Sequence, residues 1–183
     1  MIIGLSGYAR SGKDTVAQIL VDNYGFTRLA FADKIKELLV EINPKIHYPF
    51  HSFNLRDIVF ANGWDYAKSE PEIRELLQNL GVGARKVFGE NHWIVETFKN
   101  LDNDKNYVVT DVRFTNEAKW IKEIYNGHIW RVERPGISAV NDHISEHDLN
   151  IWNFDSLIDN SGSIEDLADI IAYDMESLYG DNI

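Results

Sequence analysis

The stretch Met1-Ile2-Ile3-Gly4-Leu5-Ser6-Gly7-Tyr8-Ala9-Arg10-Ser11-Gly12-Lys13-Asp14-Thr15 decides the fold. Ile2 to Ser6 is short, apolar and followed by Gly7, which predicts a buried strand. From about Gly12 to Tyr24, apolar residues at Val16, Ala17, Ile19, Leu20 and Val21 predict a helix that stops before Gly25. Strand, glycine-containing turn and helix start are the context a phosphate-binding loop demands. Gly7 and Gly12 permit backbone angles that other residues resist. Successive N–H groups can then turn inward as an anion nest. The helix beginning near Lys13 adds its positive end, and Lys13 would reach the β- and γ-phosphates. One position departs from the usual pattern: Asp14, not Ser or Thr, follows the lysine, and Thr15 comes next. Asp14 could hold Mg²⁺ through a water while Thr15 contacts phosphate.

Outward from this loop, strands alternate with helices. Phe26 to Ala32 reads as a second strand, and Asp33 as the cap of a helix carrying Ile35, Leu38, Leu39 and Ile42. Asn43 to about Asn54 reads as a loop by composition. Pro71 starts a helix with Ile73, Leu76, Leu77 and Leu80 that is expected to end near Gly81. Another helix is expected from about Asn91 to Leu101. Tyr107-Val108-Val109-Thr110 reads as a third strand, Asn116 to Tyr125 as a helix, and Gly127 to Val132 as a fourth strand. Residues 136–155 are largely polar and irregular. Leu157-Ile158 is a short fifth strand before a last helix capped by Ser163. This alternation predicts an α/β fold, a parallel sheet with helices on both faces.

Composition narrows the function. A chain of 183 residues is one domain with room for a small inserted lobe. The net charge of −11 argues against nucleic-acid polymers and anionic membranes as partners. Zero cysteines exclude a disulfide scaffold and a zinc-thiolate site. No apolar run approaches the roughly 20 residues of a membrane span. The N-terminus lacks a basic segment and a cleavage site, so the expected address is the cytoplasm (host cytoplasm if phage-encoded).

Other residues could act on a bound phosphate. Asp111 ends an apolar strand, with Arg113 and Glu117 close behind, where ligands sit in open α/β sheets. The same three also fit a strand-end cap with solvated helix charges. Arg74 and Gln78 share a helix face and suit a monophosphate and a base edge, although a solvated face has the same pattern. Trp93 could stack on a base or sit in a core. Arg131 and Arg134, near the fourth strand's end, could cover a transferring phosphoryl group or form surface ion pairs. The spacing of His143, Ser145, Glu146 and His147 fits none of the common metal sets; a segment over the active site is the better reading.

In order, Gly-x₄-Gly-Lys-Asp-Thr, Arg-x₃-Gln-x₂-Gly, Trp93, Asp-Val-Arg-Phe-x-Asn-Glu, Arg-Pro-Gly and Asn-x-Gly-Ser-Ile-Glu-Asp-Leu span Ile2 to Leu167. The set resembles the deoxynucleoside monophosphate kinases of tailed bacteriophages, in which the Gly-Lys-Asp-Thr variant is typical. The resemblance implies a P-loop kinase core whose five strands lie in the order 2-3-1-4-5. Within a single domain over 1–183, it implies a helical monophosphate-binding insertion at about 44–104. It implies ATP, Mg²⁺, a deoxynucleoside monophosphate acceptor and often a homodimer. Gly7, Arg10, Ser11, Gly12, Lys13, Asp14 and Thr15 would bind ATP. Lys36, Arg74, Gln78, Gly81, Trp93, Asp111, Arg113 and Glu117 match monophosphate-binding places, and Arg131 and Arg134 remain the candidates to cover the phosphoryl. Two departures bear on base preference: Val82 stands where the family often has Thr, and the lobe between Asn43 and Glu70 is shorter than in some relatives.

Rival readings are another small-molecule P-loop kinase, such as a dephospho-coenzyme A or phosphomevalonate kinase, and an ATP-binding regulatory module. The former would not need Arg-x₃-Gln; the latter lacks an Asn-Lys-x-Asp guanine motif here. Lys13, Arg10, Lys36, Arg74, Arg113, Arg131 and Arg134 make up seven of the 18 Lys and Arg residues, which leads to the expectation of a positive pocket in a negative shell.

Overall fold

Residues 1–138 and 147–180 are described by the computed structural model. Along the chain run β1 (Ile2–Ser6), α1 (Lys13–Tyr24), β2 (Thr27–Leu29), α2 (Phe31–Ile42), β3 (Lys45–Tyr48), β4 (His51–Asn54) and α3 (Leu55–Ala67). There follow α4 (Pro71–Phe88), α5 (His92–Phe98), β5 (Tyr107–Val109), α6 (Thr115–Tyr125), β6 (His128–Glu133), β7 (Ser156–Asp159) and α7 (Ile164–Gly180). They form two units, one of Met1–Ala30 with Asn100–Ile183 and the other of Phe31–Lys99.

The first unit carries a five-stranded sheet in the order β2-β5-β1-β6-β7, every neighbouring pair parallel. Counted among the sheet strands alone, this is the expected 2-3-1-4-5. All five residues of β1 and all three of β5 are buried, as the apolar runs require of strands covered on both faces. Ile3, Leu5, Trp130, Val132 and Ile158 from the sheet pack with Val16 and Leu20 of α1 and Leu167, Ile171 and Met175 of α7. β1 lies between β5 and β6; the chain passes from β1 to β2 on the β5 side, and later from β5 across β1 to β6 on the other. The crevice at the carboxyl end of β1 is therefore the switch point where open α/β sheets bind ligands.

The second unit packs around Leu39, Ile46, Leu55, Ile58, Ala67 and Ile73. Here the structure departs from the sequence reading. The expected loop from Asn43 to Asn54 contains an antiparallel hairpin, β3 with β4, in which Ile46 pairs with Phe53 and Tyr48 with His51. Pro44 precedes the hairpin and Pro49 lies in its turn, so neither removes a ladder donor. Stacking of Tyr48 on His51, ring centroids 5.2 Å apart, ties the strands together. The helix expected to stop near Gly81 continues through Gly83 to Phe88. The second strand is only three residues long and α2 begins at Phe31, so Asp33 sits inside its first turn rather than at its cap. No helix among the described residues is long and apolar enough to cross a membrane.

Candidate active site

Between β1 and α1 the chain bends sharply. Gly7 has φ 134°, Arg10 φ 68° and Gly12 φ 105°. A Cβ on Gly7 would lie 2.4 Å from the Val132 carbonyl oxygen, and one on Gly12 would lie 2.1 Å from Asn160 Nδ2. Both glycines are therefore demanded by close approach as well as by φ. The first α1 bond runs from the Val16 N–H to the Gly12 carbonyl at 3.0 Å. Lys13, Asp14 and Thr15 thus supply first-turn amides, and the N-cap, Gly12, brings no side chain to them. Lys13 Nζ donates to the carbonyls of Gly7 at 2.7 Å and Tyr8 at 2.8 Å, which draws the ammonium over the loop. The Ser11 hydroxyl is buried and has no hydrogen-bond partner among the described residues. A bent loop, an uncapped helix start, a lysine and an orphaned buried hydroxyl suit a polyphosphate.

Arg131 approaches the loop from β6, where it pairs in register with Ser6 of β1. Its guanidinium carbon lies 5.2 Å from the Tyr8 ring centroid and 5.3 Å from that of Phe154. Its Nε donates to Glu133 Oε1 at 2.9 Å, and its side chain is 13% exposed. Two rings and a carboxylate hold this arginine in one orientation. A cavity of ≈ 480 Å³ is lined by Tyr8, Ser11, Arg131, Glu133, Arg134 and Asp159, among others. Two carboxylates thus share it with two arginines, and its lining is mixed in sign rather than uniformly positive. A smaller hollow, ≈ 20 Å³, brings Arg113 and Arg131 together with Gly7 and Tyr8.

Asp111 follows β5 at the same sheet end. The next residue, Val112, donates its N–H to the Leu5 carbonyl at 3.1 Å and fixes this turn beside β1. Glu117 is buried, and its Oε2 accepts the N–H groups of Arg113 at 2.7 Å and Phe114 at 3.0 Å. This carboxylate caps α6 and shapes the turn that presents Arg113. Asp148 adds a second acceptor at the same helix start, taking the Thr115 N–H at 2.5 Å.

The remaining candidates stand on the second unit. Lys36 Nζ on α2 lies 2.6 Å from Asp33 Oδ1. Arg74 and Gln78 are exposed on consecutive turns of α4. Arg74 directs Nε and one terminal nitrogen to the Lys68 carbonyl at 3.2 and 3.1 Å. Trp93 is 6% exposed and donates its Nε1–H to the Gly81 carbonyl at 3.0 Å. Its ring is buried. The ring also meets that of His92, centroids 4.8 Å apart, and the bond to Gly81 braces α5 against α4.

Tyr8, Phe154, Asp148 and Asn160 emerge only from the structure as neighbours of the candidate residues. Tyr8 lies within the loop motif and Asn160 within the last motif, but neither motif states what its side chain touches. His143, Ser145 and Glu146 lie outside the described residues; His147 is exposed, with Nδ1 3.3 Å from Asn150 Nδ2. Among the described residues no group of three or more His, Asp or Glu side chains could hold a metal ion.

Comparison with known proteins adds a family. The model of the deoxynucleotide monophosphate kinase family matches residues 1–71 and 53–171. A putative deoxynucleotide monophosphate kinase of Acanthamoeba polyphaga mimivirus is 29% identical over 179 residues, 91% of each chain. The deoxynucleotide monophosphate kinase of Escherichia phage RB69 is 23% identical over 234 aligned positions, 91% of this chain and 96% of that one. Among solved structures, dephospho-CoA kinase from Campylobacter jejuni aligns at TM-score 0.48 and 16% identity, covering 100% of this chain and 98% of that one. Shikimate kinase from Aquifex aeolicus aligns at 0.48 and 12%, covering 98% of each.

Proposed function

The chain belongs to the deoxynucleotide monophosphate kinase family, and from that membership we propose that it transfers the γ-phosphate of ATP to a deoxynucleoside 5′-monophosphate. The bond from the γ-phosphorus to the β–γ bridging oxygen breaks, and one from that phosphorus to an acceptor phosphate oxygen forms. ADP and a deoxynucleoside diphosphate leave. The observation that carries this reading is the loop itself: two glycines that admit no side chain, Lys13 drawn over them, and the orphaned Ser11 hydroxyl.

Lys13 and the loop amides bind the β- and γ-phosphates, and Arg10 flanks them. Arg131, held beside the Tyr8 and Phe154 rings, meets the charge that develops on the phosphoryl, with Arg134 beside the same cavity. Asp14 would hold Mg²⁺ through water while Thr15 contacts phosphate; when bound, the ion neutralises phosphate charge. Asp111 orients the acceptor or that ion's shell, and Arg113 binds phosphate oxygens where Glu117 holds its turn. Further residues proposed for the acceptor come from the unit Phe31–Lys99. Arg74 and Lys36 serve its phosphate, Gln78 its base edge, and Trp93 acts through Gly81. No strong general base is required, because the acceptor phosphate is already an anion; position and neutralisation carry the rate.

A coupled ADP-release assay with ATP, Mg²⁺ and a panel of nucleoside monophosphates tests this. Turnover with at least one deoxynucleotide is expected. It should fall about 10²-fold or more in Lys13→Ala while thermal unfolding is unchanged. Turnover confined to an unrelated acceptor, or a near-normal rate in the variant, refutes the reading.

A further inference from the structure

Asn160 is the first residue past β7, and none of the roles above uses it. Its backbone N–H donates to the Glu133 carbonyl at 2.8 Å and extends the β6–β7 ladder beyond the strand. Its side-chain Nδ2 donates to the Ser11 carbonyl at 2.8 Å, across 149 residues of sequence. A trans peptide is planar, with C=O and N–H on opposite sides. Gripping the Ser11 carbonyl from the sheet side therefore turns the Gly12 N–H the other way. If this peptide flipped, a carbonyl dipole would replace an amide donor in the nest and repel phosphate. Gly12 and Asn160 also require each other: any Cβ at residue 12 would lie 2.1 Å from Nδ2.

We propose that Asn160 is a positioning residue that locks the Ser11–Gly12 peptide in its anion-binding orientation, so that it sets affinity for the polyphosphate of the nucleotide donor without touching it. The sheet holds Asn160 before any ligand arrives, so the nest does not have to be ordered on binding. The inference rests on the proposed phosphotransfer from ATP only in naming the donor; the anion nest can be probed without it.

The test compares Asn160→Ala, which removes the donor, and Asn160→Asp, which sets a carboxylate against the Ser11 carbonyl. Inorganic tripolyphosphate binding is measured by calorimetry, alongside thermal unfolding and the KM values for ATP and the deoxynucleotide acceptor. Loss of one such hydrogen bond should weaken tripolyphosphate binding about fivefold in the alanine variant, and about tenfold or more in the aspartate variant. KM for ATP should rise in parallel while KM for the acceptor stays within about twofold. Unchanged tripolyphosphate affinity in the alanine variant overturns the proposal. So does a joint rise of both KM values with a lowered unfolding temperature, since that pattern marks a structural role. If the aspartate variant does not fold, the alanine variant decides alone. A wild-type protein that binds tripolyphosphate but phosphorylates no nucleotide would sink the proposed reaction and leave the lock standing.

Discussion

Replacing Phe154 by leucine removes one of the two rings near the Arg131 guanidinium, at 5.3 Å, and leaves Tyr8 at 5.2 Å. The arginine keeps its Nε bond to Glu133. Its side chain is only 13% exposed, so the lost contact belongs between the exposed and desolvated limits for a cation over a ring, about 1 kcal/mol. If the clamped guanidinium acts on the transition state, that loss lies in kcat and amounts to about fivefold. KM for ATP should move less than about twofold. Steady-state kinetics on Phe154→Leu, Arg131→Ala and the double variant make a cycle that isolates the coupling. Arg131→Ala alone should lower kcat by about 10²-fold. In that background the leucine should add nothing further, because Phe154 has lost the group it positions. The same fivefold drop in both backgrounds would refute the clamp and leave Phe154 as ordinary packing. Thermal unfolding of each variant separates this from a general loosening of the segment that follows Leu149.

Two further outcomes follow from side chains that act on backbone. Glu117→Ala leaves the part-buried N–H groups of Arg113 and Phe114 without their carboxylate; stability should fall by about 2 kcal/mol, seen as a drop in Tm of roughly 4–8 °C in thermal unfolding. A Tm within about a degree of wild type would remove Glu117 from that role. Glu72 has its pKa lowered by the hydrogen bonds from the His47 side chain and then its backbone N–H, which link the hairpin to α4. A carboxyl lowered on folding adds stability above its unfolded pKa and loses it as pH falls through the folded one. The stability difference between wild type and Glu72→Gln should thus be constant near neutrality and close only below about pH 4. A difference that closes between about pH 7 and 5 would contradict this assignment.

How much of the molecule can be read in its sequence depends on how local the cause is. The loop is legible because Gly7, Gly12 and Lys13 act within one turn of backbone. The central strands are legible because burial on both faces leaves unbroken apolar runs. The hairpin is hidden because Lys45, His47 and all four residues of β4 are exposed, which leaves Ile46 as its one buried side chain. Gly81 reads as a helix stop for sound intrinsic reasons. In the fold, Ile35 Cδ1 would lie 3.2 Å from a Cβ there, and Trp93 takes the Gly81 carbonyl, so the glycine serves packing within a continuing helix. The ring of Phe154 and the amide of Asn160 meet their targets across the sheet, and no periodicity encodes such meetings.

The net charge of −11 poses the remaining question, how an acidic chain receives two anions. The sequence suggests spatial separation, with the basic residues gathered and the acid placed elsewhere. Around the loop the arrangement is finer. Glu133 and Asp159 line the same cavity as Arg131 and Arg134, and Glu133 holds Arg131 directly. An arginine already paired and stacked is aimed, and gives up less freedom when a phosphate arrives. The nest amides are fixed dipoles and need no net charge. Anion affinity on the first unit can therefore come from oriented donors more than from accumulated positive charge. Binding that depends on orientation should respond to Asn160, which carries no charge, as strongly as to the removal of a distant lysine. The salt dependence of tripolyphosphate binding gives the same argument a second reading. A site built of aimed donors at close range should lose affinity with ionic strength less steeply than one built on a diffuse positive field.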